Sequence, residues 1–140
     1  MEPLDALLRF LGLVYRAQRL AVGDDAISDA ARVKHLRLML LASDASEHTA
    51  RRIAFLAESS GAPLARLSID KATLGGAIGL ASCAAAAVTD FGFAGAIGER
   101  LRAIDPALYG EIADETAQRA KRASERKQKK PKRGAKARKA

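Results

Sequence analysis

LRLMLLASDASEHTARRIAFLAESSGAPLARLSI, residues 36–69, holds the alternation from which the fold follows. Leu36 to Leu41 is an apolar run broken only by Arg37, and its length and polar flanks predict a buried strand. Asp44 with Glu47 three residues later has the spacing of a capping box. Ile53, Leu56, Ala57 and Ser60 then mark the inner side of a helix that Gly61 and Pro63 stop. Leu64 to Ile69 alternates as the next strand.

The same rhythm extends in both directions. Upstream, Leu4, Leu7, Leu8, Leu11, Val14 and Tyr15 recur at helical spacing behind Pro3, which a first helical turn tolerates. A short extended piece near Leu20 to Val22 follows, then a turn at Gly23 and a helix to about Val33 that Asp24 or Asp25 can cap. Downstream, a short helix through LGGAIG leads to a small-residue strand over Ala84 to Val88. Phe93, Ile97, Leu101 and Ile104 form the apolar stripe of another helix. Asp105 and Pro106 open a last helix carrying Leu108, Tyr109 and Ile112, which is expected to dissolve into a basic block. Strands alternating with helices predict an α/β fold, a layered α/β/α sandwich.

The 140 residues, 49% of them hydrophobic, suit one ordinary domain and a modest tail. The amino terminus carries acids where a secretory signal would place positive charge, so a cytoplasmic protein is expected. The uncharged stretch Thr73 to Thr89 is mainly alanine and glycine, which gain little from lipid, and no membrane partner is expected. The net charge of +8 is not spread evenly. Residues 1–118 hold 12 Lys or Arg against 15 Asp or Glu, a balance of −3, whereas residues 119–140 hold 12 against Glu125 alone, a balance of +11. Such a block cannot fold by burying apolar surface, and its charge suits a polyanion. Beyond Pro131 it is expected to be disordered.

Groups that could perform chemistry are sparse. Cys83 stands alone among alanines in the expected strand, and His35 and His48 lack the spacing of a metal cage, so neither a disulfide nor a metal is expected. No G-x-S-x-G elbow surrounds Ser59 or Ser60, and LGGAIG has neither the dinucleotide fingerprint nor a P-loop. These absences favour a non-enzymatic protein with no cofactor and no small-molecule substrate.

Four motifs in order carry a family resemblance: FLGLVYRAQRLAVG (10–23), LMLLASDAS (38–46), TLGGAIG (73–79) and AAAAVTDFGFAGAI (84–97). Together they resemble the kink-turn-binding ribosomal protein family that includes archaeal ribosomal protein L-seven-Ae, and most closely its bacterial YlxQ-like branch. The resemblance covers about residues 5–104. It implies a three-layer α/β/α sandwich on a small mixed central sheet over residues 1–105, and the charge pattern adds 106–140 as a helix running into the basic tail. It also implies RNA as the partner, ribosomal or kink-turn-containing, with the ribosome as a candidate assembly.

The family begins its second helix with Gly, any residue, Asn, Glu and, three further on, Lys. Gly23 matches, while Asp25, Ala26 and Asp29 occupy the asparagine, glutamate and lysine positions. A carboxylate at Asp25 can accept from an amine-bearing base edge, and it can equally serve the helix N-terminus with no ligand. The family's second contact is the LG loop with the loop before the next strand, matched by Leu74, Gly75 and Gly79. The resemblance thus implies a shape-reading surface of Gly23, Asp25, Leu74 and Gly75. Phosphate contacts fall to the tail, to Arg119, Lys121, Arg122, Arg126, Lys127, Lys129, Lys130, Lys132 and Arg133. Two alternatives stay open: a protein-interaction module whose kink-turn face has been lost, and the accessory domain of an RNA methyltransferase, for which the chain leaves no room for a cofactor-binding domain.

Overall fold

Every residue of the strand Leu38–Leu41 is buried, which requires layers on both sides of it. The computed structural model of the chain describes residues 1–129 and supplies those layers. In chain order the elements are α1 (Pro3–Arg16), β1 (Leu20–Val22), α2 (Asp24–Arg32), β2 (Leu38–Leu41), α3 (Glu47–Ser60), β3 (Leu64–Arg66), α4 (Lys71–Ala77), β4 (Ala85–Val88), α5 (Phe91–Ile104) and α6 (Pro106–Lys129).

The four strands form one mixed sheet in the order β1-β4-β2-β3. β2 and β3 are parallel, as the crossover through α3 demands, and β4 runs antiparallel to both β1 and β2. Alternate residues feed two cores. Leu38, Leu40, Ala86 and Val88 meet α1, α4, α5 and Tyr109 of α6, while Met39, Leu41, Ala85 and Ala87 meet Ile27 and Ala30 of α2 and Ile53 and Ala57 of α3. The fold is thus a three-layer α/β/α sandwich. Among the described residues, no helix is long and apolar enough to cross a membrane.

Local chemistry corrects several expected boundaries. The cap of α2 is Gly23 itself, at φ +93°, so Asp24 and Asp25 sit in the first turn facing the helix dipole and make no capping bond. The cap of α3 is Ser46, whose hydroxyl accepts from the Thr49 amide at 3.1 Å. Asp44 instead reaches across the fold, and its carboxylate accepts from the Lys71 amide at 2.8 Å. Gly61 closes α3 in the left-handed region at φ +78°, as its sequence position implied. The strands are shorter than their apolar runs, since β3 ends at Arg66 and β2 starts at Leu38.

The largest departure is α6. It does not dissolve at the basic block but continues as helix to Lys129. Tyr109, Ala113 and Thr116 are buried beyond the Asp105–Pro106 break, against an α5 face that carries Gly95 and Gly98. Tyr109 also donates its hydroxyl to the Arg66 carbonyl at 2.6 Å. Burial, and secondarily the Asp105 carboxylate, raises the Tyr109 pKa above the ordinary phenol value. The native state therefore favours the neutral ring. That stabilisation is complete below about pH 10 and is lost as pH rises through the raised native value. Tyr109→Phe is expected to lower stability by about 1 kcal/mol at neutral pH and to flatten the alkaline limb of a urea-unfolding pH series. An alkaline limb unchanged in the variant would remove Tyr109 from that role.

Candidate nucleic-acid interface

The strand directions give the sheet two ends. Gly23 follows β1 at the end where β4 begins, and the segment Ser82–Ala84 enters β4 at that same end. The two segments flank an open groove of about 150 Å³ that Val22, Gly23, Asp24, Thr49 and Cys83 help to line. The positive φ of Gly23 lets the chain turn sharply from strand into helix, and the residues from Gly23 to Ala26 are exposed. Asp25 is solvent-exposed on the first turn. Asp29 is ion-paired with Arg32, and Asp24 lies 3.7 Å from Arg52, which also donates to the Ser28 hydroxyl at 2.6 Å. Arg52, on α3, therefore stands where it offsets part of the acidity of α2, a neighbour the sequence alone did not indicate.

The two residues of the LG motif are not where a contact surface would need them. Leu74 is fully buried in the core, and Gly75 is buried against the chain entering β4. An ideal Cβ on Gly75 would stand 2.7 Å from the Ser82 nitrogen and Cα. In this structure neither lines the groove, and Gly75 backs its wall at Ser82. The Gly75 carbonyl accepts from the Leu80 amide at 2.8 Å, and the Cys83 amide donates to the Lys71 carbonyl at 2.9 Å, which fastens the loop to α4. Gly75→Ala is expected to cost about 2 kcal/mol, because backbone must move, and to shift the Ser82–Ala84 amide resonances. An unchanged urea midpoint would mean that the loop yields freely.

Cys83 sits in the loop before β4 rather than in the strand. It is buried, its thiol lies 3.4 Å from the Ala85 carbonyl, and burial raises its pKa, which disfavours a nucleophilic thiolate. Among the described residues, no three His, Cys, Asp or Glu side chains gather to hold a metal.

The basic residues lie elsewhere. α6 packs antiparallel to α5, with Thr116 beside Gly98 and Ala120 beside Gly95, so its later turns return to the end of the sheet where β4 finishes. Arg119, Arg122 and Arg126, three and four residues apart, share one face of that helix and line a cleft with Phe91. Lys121 and Lys127 are exposed on other faces, and Lys129 is the last helical residue. Lys130, Lys132 and Arg133 lie outside the described residues. Among the described residues, the structure thus separates the Gly23 end of the sheet from the end at which Arg119, Arg122 and Arg126 stand.

No protein-family model matches the chain. A curated relative, RNA-binding protein YlxQ of Bacillus subtilis (strain 168), is 34% identical over 84 residues, which span 60% of this chain and 83% of the relative. A solved structure described as a protein of unknown function from Bacillus halodurans C superimposes with a TM-score of 0.63 at 28% identity, over 68% of this chain and 95% of that one.

Proposed function

Because the chain belongs to the family of RNA-binding protein YlxQ, we propose that it is a non-enzymatic RNA-binding protein that holds structured RNA, ribosomal or kink-turn-containing, in the cytoplasm. The observation that carries this reading is the division of charge. The shape-reading end keeps the Gly23 turn and the groove but has acids where the family has amide and ammonium groups. The surplus of positive charge stands on the later turns of α6 and in the sequence after it. In this division the groove end selects RNA by shape, and the arm supplies affinity through phosphate contacts with little preference for sequence.

The test compares binding of the full chain to a kink-turn RNA, a plain duplex of equal length and a single strand at 50 mM salt. Binding to all three is expected, with a modest preference for the kink turn. Restoring the family pattern with Asp25→Asn, Ala26→Glu and Asp29→Lys is expected to sharpen that preference by at least about tenfold, the worth of one good base-edge contact. Failure of the full chain to bind any of the three would end the reading. The exposed acids Asp24 and Asp25 favour a second reading, a protein-interaction module. Capture of a basic protein partner by the α2 end, without RNA, would select it.

A further inference from the structure

At the end of the sheet opposite Gly23, the Arg37 amide donates to the Val88 carbonyl at 2.8 Å. That ladder bond brings Arg37 beside Phe91, the first residue of α5. The Arg37 guanidinium lies 4.0 Å from the centroid of the Phe91 ring, and the Arg126 guanidinium lies 6.0 Å from the same centroid. Lys34, Arg37, Phe91 and Arg119 help to line an open cleft of about 310 Å³ between α2, α3, α5 and α6, and Arg126 lines a neighbouring cleft that shares Phe91 and Arg119 with it. One Arg37 Nη donates to the Lys34 carbonyl at 3.0 Å, while its Nε is buried and no described residue accepts from it. Of the acids nearby, Asp90 caps α5 by accepting from the Phe93 amide and keeps its charge near Arg37, and Glu115 pairs with Arg119.

Cations gathered on one aromatic ring repel one another. Burial, then the charge of Arg126, lowers the Arg37 pKa, although Asp90 pulls in the other direction. Such a cluster relaxes when an anion enters it. The guanidinium is suited to phosphate, since its planar fork gives two parallel hydrogen bonds and the ring face holds that fork in place. The later turns of α6, with Arg119, Arg122 and Arg126, run beside this cleft, so a strand held along them passes it.

We propose that the cleft at Arg37 and Phe91, with Arg126 beside it across the same ring, is a second RNA-binding site, taking a backbone phosphate of a strand whose other phosphates are held by the arm. It rests on the reading of the chain as an RNA-binding protein. It differs from the Gly23 groove in position and in chemistry, because it reads charge and not base shape. Arg37 is the phosphate ligand, the Phe91 ring is the plate that holds its guanidinium, Lys34 adds to the positive field, and Arg126 approaches the same ring from the adjoining cleft.

The experiment titrates the full chain with a decauridylate strand and follows the Arg37 Nε–H and Phe91 ring resonances beside the amides of Gly23 and Ser82–Ala84. The cleft resonances are expected to move at the lowest RNA concentrations. Arg37→Gln is expected to reduce the slope of log K against log salt by about 0.7, a fivefold loss at about 0.1 M salt, as for one phosphate contact on a single strand. Arg9→Gln, on the exposed face of α1, should change affinity less than twofold. Arg126→Gln, exposed on α6, reads the same site without touching the core.

Equal losses for Arg37→Gln and Arg9→Gln, or shifts confined to Gly23 and Ser82–Ala84 while RNA binds, would overturn the cleft alone. No binding by the full chain would overturn the underlying reading with it. If decaglutamate moves the cleft resonances at lower concentration than the RNA does, the cleft is a docking site for acidic protein and the proposal is wrong.

Discussion

Raising salt from 50 to 200 mM is expected to weaken RNA binding by the full chain roughly a thousandfold, if about six of its cations engage phosphates. The size of the effect follows from where the charge lies. Residues 1–118 are net −3, so the body opposes a polyanion at long range and attraction comes from the block that is net +11. Each engaged cation releases about one condensed counterion, and the losses multiply because the contacts act in parallel. Equilibrium binding of a duplex by fluorescence anisotropy at four salt concentrations gives the slope. A body that read RNA mainly through base edges in its groove would give a shallow slope, and a loss under tenfold would reject the arm as the source of affinity. Replacing the cations from Lys127 onward with glutamine should flatten the slope, and the urea midpoint of the same variant checks that the fold is kept.

Much of the scaffold could be read before the structure because local and global preferences agree in it. The all-apolar run at Leu38–Leu41 allows only a strand covered on both faces, and Gly61 with Pro63 can only stop a helix. Where two local readings competed, tertiary contact decided. The spacing of Asp44 and Glu47 marks Asp44 as the cap of α3, yet Ser46, next to Glu47, holds that place. The Asp44 carboxylate accepts instead from the Lys71 amide, 27 positions away in sequence and beyond any local rule.

The candidate site divides in the same way. The turn at Gly23 is a local feature and lies where its sequence places it. Leu74 and Gly75 are motif residues, and a motif reports that a position matters without saying whether it faces solvent or Ser82. Arg37 and Phe91 stand 54 positions apart and meet only through the register of β2 on β4, so no reading of charge or spacing along the chain could pair them. The helical state of the first part of the basic block, to Lys129, was hidden for a related reason. Its composition speaks for disorder, while α6 carries a stripe of small inward residues, Ala113, Thr116 and Ala120, matched to glycines of α5.

That match makes Gly98→Val the most damaging substitution expected on α5. An ideal Cβ at Gly98 already stands 3.1 Å from the Ala113 Cα and inside the contact distance of the Thr116 hydroxyl. Thr116 cannot easily turn away, because its hydroxyl donates within α6, lying 2.9 Å from the Ile112 carbonyl, and its Cβ is branched. Valine adds two further carbons, so α6 must lift from α5, and the loss is expected to be about 3 kcal/mol, the upper part of the range for overpacking. The functional consequence separates this variant from an ordinary core defect. Arg119, Arg122 and Arg126 reach Phe91 only because α6 lies along α5, so the variant should lose the contribution of the Arg37–Phe91 cleft while keeping every cation in the chain. Gly98→Ala should lie between, with a smaller loss. Urea unfolding followed by circular dichroism gives the first quantity and RNA titration at fixed salt gives the second. A variant of wild-type stability would show that the two helices can part without penalty, and the placement of the basic face by helix packing would then have to be abandoned.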